Sequence, residues 1–185
     1  KAGACGMKFG VESINPETLK NITKTWITKE KVKNFVNMVK EYGLWVHGDF
    51  IVGIPGDTKE SLDEMIKFAI DLDLNTAQIY SAQPLPGTPF YNQCNAQGWL
   101  VAKKWDEYDG NYFSPVSYPQ FSKKEIEEIL KKFKVEWEMA AVGKLVVRPW
   151  KIVDYIKGRG LKYTFKKIKT IIKQRRKNHI YIAGA

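Results

Sequence analysis

The sequence is short of the residues from which metal and redox sites are commonly assembled. Its 185 residues hold two cysteines, Cys5 and Cys94, and two histidines, His47 and His179. The cysteines lie too far apart for a zinc ribbon and are too few for a disulfide framework, so a reducing, cytoplasmic setting is expected. No three-cysteine loop of any spacing can be written. No long uninterrupted apolar run and no secretory leader is present, so nothing is expected to span a membrane. Serine-nucleophile elbows, phosphate-binding Walker loops and HExxH are likewise missing, which removes the commonest hydrolase and nucleotidase readings. Acidic residues are almost absent from the end of the chain. Residues 144–185 carry 13 basic side chains and one acidic, whereas residues 1–143 carry 17 basic and 19 acidic. The net charge of +10 therefore belongs to the tail, and partner arguments from charge apply only there.

What is present is a mixed pattern with 44% apolar residues, enough for one core. The stretch 44–61 organises the chain. Trp45, Val46, Phe50, Ile51 and Val52 read as a strand, and Gly53, Pro55 and Gly56 then break it and bring backbone close to whatever lies above the strand end. Before it, residues 5–11 read as a short buried strand ended by Glu12-Ser13. Asn15 with Pro16 opens a short helix, and Thr28 opens another that Gly43 terminates. After it, Asp57 or Thr58 caps a helix, with Asp57 and Glu60 as a box-like pair. A third strand, 76–82, leads into Gln83-Pro84-Leu85-Pro86-Gly87-Thr88-Pro89, where three prolines argue against regular structure.

Strands recurring every 30 to 40 residues or so with helices between them predict an α/β fold with parallel strands. Three units are too few for an eight-stranded barrel, so a partial (β/α) TIM-like barrel is the expected architecture. Rings at Trp99, Trp105, Tyr108, Tyr112, Phe113, Tyr118 and Phe121 are expected to cover one end of the sheet. Ser122 and Glu125 open a long helix that closes the core. The domain division is then 1–143 for the barrel part and 144–185 for a basic, amphipathic helical tail. Because the chain starts at Lys1 and enters a strand almost at once, it reads as the carboxyl-terminal piece of something longer.

In a parallel sheet the strand ends open on one side, which would gather Glu12-Ser13, Gly53 to Asp57, and Gln83 to Thr88 around one ligand. Asp57 above that turn is expected chiefly as the helix cap. His47 and Asp49, two residues apart, share a face and are candidates for contact with substrate. A lone strand histidine is otherwise a satisfied core or rim residue. Cys5 is expected to be a buried strand cysteine and Cys94 a surface or loop one.

The segments Gly10-Val11-Glu12-Ser13, then Val46-His47-Gly48-Asp49-Phe50-Ile51-Val52-Gly53-Ile54-Pro55-Gly56-Asp57, then Pro84-Leu85-Pro86-Gly87-Thr88-Pro89 resemble, in order and spacing, the second half of the radical S-adenosylmethionine enzymes. They are most similar to the branch that carries a cobalamin-binding domain. The resemblance covers residues 1–140 or thereabouts. It implies an enzyme in which a [4Fe-4S] cluster on a CxxxCxxC loop cleaves S-adenosylmethionine to a 5′-deoxyadenosyl radical, for methyl transfer or rearrangement at an unactivated carbon.

Carried over by residue, the resemblance places Glu12 and Ser13 near the ribose and methionine moieties. Ile51, Gly53 and Ile54, with Pro55 and Gly56, lie against the adenine, and Tyr80, Ser81 and Gln83 touch the same nucleoside. Ile14 stands where the family commonly has glycine, and Asp57 where it has glutamate. CxxxCxxC occurs nowhere, so the cluster ligands, and any cobalamin, are expected outside this chain, on a missing amino-terminal half. The substrate is expected to be a small molecule of hydrophobic or lipid-like kind. The tail reads either as a peripheral contact with anionic lipid on the inner membrane face or as a helix packed on the barrel with a solvated basic face. Nucleic acid is disfavoured because the tail's aromatics sit in the apolar stripe. From another class, a non-catalytic nucleotide-binding or membrane-docking α/β module fits the same strand ends.

Overall fold

Strands β1 (Gly6–Glu12), β2 (Trp45–Val52) and β3 (Thr76–Ser81) lie parallel in the order β1-β2-β3 in the computed structural model, which describes residues 3–147 and residue 169. Helices α1 (Pro16–Asn21) and α2 (Lys29–Glu41) connect the first two strands, and α3 (Lys59–Asp71) connects the last two. This is the α/β class that the spacing predicts. The pairing is continuous from His47↔Thr76 to Val52↔Ser81. On the other side it runs from Gly6↔Trp45 to Gly10↔Asp49 and then slips, so that Glu12 stands opposite Phe50.

Alternation decides which face is which. Val46, Phe50 and Val52 are buried, as is Ile79 of β3. Phe9 meets Phe35 of α2 edge-on at 4.7 Å, and Phe50 meets Phe133 at 5.8 Å. Val32, Val36 and Val39 of α2, with Leu62, Met65, Ile66 and Ala69 of α3, complete this helical side. Each large side chain withdrawn from water here contributes about 1.5–3 kcal/mol. The opposite face of the sheet carries Lys8, His47, Asp49, Thr76, Gln78 and Tyr80.

The helix starts follow their caps. Asn15 accepts the Glu17 N–H at 3.0 Å with Pro16 in the first position, and Thr28 accepts the Lys31 N–H at 3.2 Å. Thr58, not Asp57, caps α3: its hydroxyl accepts the Ser61 N–H, and Ser61 Oγ accepts the Thr58 N–H at 3.0 Å. The box expected between Asp57 and Glu60 is thus formed by Thr58 and Ser61, which leaves Asp57 free for other work.

The proline-rich segment after β3 contains a helix that the sequence reading did not anticipate, α4 (Pro89–Ala96). Pro89 occupies its first position, where no N–H is needed, and Thr88 caps it. Helix α5 (Lys123–Val147) opens on the expected box, with Ser122 N–H donating to Glu125 at 2.8 Å. The aromatic run divides: Tyr118 and Phe121 are buried, whereas Trp105, Tyr112 and Phe113 are exposed, so the rings do not act together as a cover.

The chain divides into two compact units, residues 1–134 and 135–185. Of the second, the structure describes the helical stretch to Val147 and residue 169, so the tail helices expected beyond Arg148 lie outside the described residues. Among the described residues, no helix is long and apolar enough to cross a membrane.

Candidate functional site

At the end of β1 the register slip turns Glu12 into the left-handed region, at φ 62. A non-glycine residue held there costs on the order of 1 kcal/mol or more. The benefit is where the carboxylate goes. It folds back over Gly10, on the open face, into the space that a Cβ at Gly10 would fill. Lys24 Nζ then donates to Glu12 Oε1 at 2.8 Å. Ser13 is buried, and its hydroxyl accepts the Asn15 N–H at 3.1 Å, so the residue holds a turn as well as lining the strand end.

At the end of β2 the turn from Gly53 to Gly56 is fixed from several directions. Asp57 is buried, and its Oδ2 accepts the N–H groups of Gly53 and Ile54 at 2.9 and 3.1 Å. Its Oδ1 accepts the Thr18 hydroxyl at 2.9 Å. Burial pushes the carboxyl up to about 6, against the three hydrogen bonds that favour its charged form. Asn15 and Asn21 donate their side-chain amides to the carbonyls of Gly56 and Pro55, at 3.1 and 2.6 Å. The buried Tyr118 hydroxyl donates to the Gly53 carbonyl at 2.6 Å, and its burial raises the phenol well above its ordinary range. Gly53 has φ 82, and a Cβ there would meet Ile126 Cδ1 at 3.1 Å, so one side of this glycine already faces protein.

The end of β3 is bound to the segment that follows α4. Ser81 N–H donates to the Gly110 carbonyl and its hydroxyl to the Phe113 carbonyl, at 2.8 and 2.7 Å. Gln83 Nε2 donates to Ser81 Oγ at 2.8 Å and to the Ser81 carbonyl at 3.1 Å. Because Ser81 spends its own proton on Phe113, the amide must present nitrogen to it. That fixes Gln83 Oε1 elsewhere, and this oxygen is buried with no hydrogen-bond partner among the described residues.

Below the strand ends, register stacks the open-face side chains in layers: Lys8, His47 and Thr76; then Asp49 and Gln78; then Ile51 and Tyr80. His47 Nε2 is 3.1 Å from Asp49 Oδ1 and its Nδ1 2.7 Å from Thr76 Oγ1, while Lys8 reaches Asp49 Oδ2 at 3.2 Å. With both ring nitrogens engaged, His47 offers a substrate nothing until one of those bonds opens.

The residues singled out therefore stand at, or just past, the carboxyl ends of three adjoining parallel strands. Lys24, Thr18, Asn21 and Tyr118 went unforeseen, since each meets its partner only through the fold; Tyr118 and Gly53 are 65 residues apart. The cysteine expectation is reversed. Cys5 is exposed, whereas Cys94 is buried in α4 with its thiol pushed up to about 11 by desolvation. No group of three potential metal ligands occurs among the described residues, so they do not fit an iron-sulfur cluster. What the strand ends offer is a buried acceptor, Gln83 Oε1, with no partner among the described residues, and the Glu12–Lys24 ion pair.

Residues 1–69 match the family model of the Radical SAM superfamily. The uncharacterized methyltransferase PH0819 of Pyrococcus horikoshii is 35% identical over 134 residues, 71% of this chain and 28% of that protein. The cytidylyl-2-hydroxyethylphosphonate methyltransferase of Streptomyces wedmorensis is 28% identical over 106 residues, 54% of this chain and 20% of that protein. The chain thus spans between a fifth and three tenths of these relatives. Among solved structures, coproporphyrinogen III oxidase (HemN) of Escherichia coli, a radical SAM enzyme, superposes with a TM-score of 0.52 at 20% identity, over 74% of this chain and 27% of that one. At that identity the likeness concerns the fold. The family model and the relatives support the radical SAM superfamily.

Proposed function

We infer that this chain is part of a radical SAM enzyme, and that its three strand ends hold S-adenosylmethionine. The observation that carries this reading is the unpaired Gln83 Oε1 just past the end of β3, at the same end of the parallel sheet as Glu12-Ser13 and the Gly53–Gly56 turn. A buried acceptor left open costs about 1–3 kcal/mol, which a ligand N–H or O–H recovers. Ile51, Ile54 and Pro55 would give the base an apolar side, with Tyr80 beside Ile51 and Gly56 closing the turn. Ser81, through its hold on Gln83, would orient the amide. At the β1 end, Glu12 would accept from the amino group or a ribose hydroxyl, and Lys24 would face the ligand carboxylate.

Together with a [4Fe-4S] cluster held outside the described residues, S-adenosylmethionine would supply hydrogen abstraction from, or methyl transfer to, an unactivated carbon. The cluster ligands belong outside the described residues, and so would a cobalamin domain, which the motif resemblance favours. By itself the chain would be inactive. Its similarity to methyltransferases favours methyl transfer to a small, hydrophobic substrate, with His47 and Asp49 on the substrate side. The basic run 144–185 would hold the enzyme against anionic lipid.

The test is anaerobic reconstitution of the full-length protein with iron, sulfide and a low-potential reductant, followed by assay of 5′-deoxyadenosine. Cleavage in the wild type, reduced at least about tenfold by Glu12→Gln, is expected. Nucleoside binding without any cleavage would instead establish the non-catalytic module. The 185-residue chain alone should acquire no cluster absorbance, and a stoichiometric cluster on it would overturn the assignment of ligands elsewhere.

A further inference from the structure

Glu12-Ser13 and Gly53–Gly56 follow from the ends of different strands, yet one short helix serves both. Asn15, which caps α1, donates its backbone N–H to Ser13 Oγ at 3.1 Å and its side-chain amide to the Gly56 carbonyl at 3.1 Å. At the other end of α1, Asn21 donates to the Pro55 carbonyl at 2.6 Å, and between them Thr18 donates to Asp57. The Pro55-Gly56 turn lies past the ladder and is closed by the Asp57 N–H, which donates to the Ile54 carbonyl at 3.0 Å, while the carbonyls of Pro55 and Gly56 are taken by Asn21 and Asn15 at the two ends of α1. Through these two carbonyls the turn is tied to α1. Asn21 is exposed, and no core packing requires an amide there.

We propose that Asn21 and Asn15 are positioning residues that fix the spacing between the two walls, so that the nucleoside and amino-acid ends of one ligand engage together. The proposal rests on the adenosyl-ligand reading above. Its physical content is effective concentration: when one end is seated, the second wall is already in place, and affinity for the joined ligand exceeds what the separate ends would give. Loosening α1 from the turn should therefore penalise the joined ligand far more than either half. A general weakening of the turn would penalise adenosine as much as the whole.

The experiment uses the full-length protein and three probes, S-adenosylhomocysteine, adenosine and methionine, with affinities read by calorimetric competition. Asn21→Ala is the variant, with Asn21→Asp as a second that keeps the shape and removes the donor. Both should weaken S-adenosylhomocysteine about tenfold. Adenosine and methionine should each change less than about twofold, with little change in melting temperature because the site is at the surface. Unchanged affinity for all three probes, or an equal loss across them, overturns the coupling. Failure of the wild type to bind S-adenosylhomocysteine removes the adenosyl reading itself, and is visible before any variant is made.

Discussion

Asp57 shows how a residue can be recognised by type and misassigned by role. An aspartate two positions before the first helical residue reads as a cap, and it follows Ile-Pro-Gly as a cap would. Thr58 takes that duty, and Asp57 turns back to accept from Gly53, Ile54 and Thr18. Its carboxyl is raised from 3.8 to about 6, so the folded state binds the proton more tightly than the unfolded chain does. Stability contributed through this group therefore falls as pH rises from 4 through 6, by about 3 kcal/mol in all. Urea titrations of wild type and Asp57→Asn across pH 4 to 7 should show that slope in the former and its loss in the latter. Parallel curves would mean that Asp57 does not titrate in this window. A second expectation concerns Tyr118: replacing it by phenylalanine leaves the Gly53 carbonyl buried and unpaired, and chemical denaturation should register a loss of about 1–3 kcal/mol.

At the scale of elements, the strands and the three helices between them were legible because periodicity and caps agree there. Val46, Phe50 and Val52 alternate, Thr28 and Asn15 stand at their expected positions, and Ser122 with Glu125 opens α5. Helix α4 was not, because a proline count obscured that Pro89 sits where proline is tolerated. The same limit applied to the strand-end site. Glu12, Gly53 and Gln83 carry local signals, whereas the Lys24 ion pair and the bond from Tyr118 arise only when distant segments meet. Cys94 was misplaced for the same reason, its burial following from a helix that was not foreseen. The capping box offers a clean check. Thr58→Ala should cost about 1 kcal/mol in thermal or chemical unfolding, and Glu60→Ala at an ordinary exposed position less than about 0.5. The reverse order would restore the Asp57-Glu60 assignment.

For the molecule as a whole, charge is distributed unevenly enough to separate two tasks. Residues 144–185 hold 13 basic side chains against one acidic, and the remainder is close to neutral. Each lysine or arginine near an anionic bilayer is worth about 1 kcal/mol at modest salt. Co-sedimentation with phosphatidylserine vesicles should therefore retain the full chain and lose it when residues 148–185 are removed, with binding weakening as salt rises. Equal sedimentation of both forms would leave the basic run without a lipid role.

The bonds at the end of β3 also give the sheet a polarity. Successive strand N–H groups point to opposite edges: Ala82 donates inward to Val52, and Ser81 donates outward, where the Gly110 carbonyl takes its hydrogen. That border is therefore occupied at the carboxyl end of β3. A further parallel strand can extend the sheet at this level only along β1, beside Glu12. Among the described residues, the edge left open to such a strand is the one that carries the Glu12–Lys24 pair.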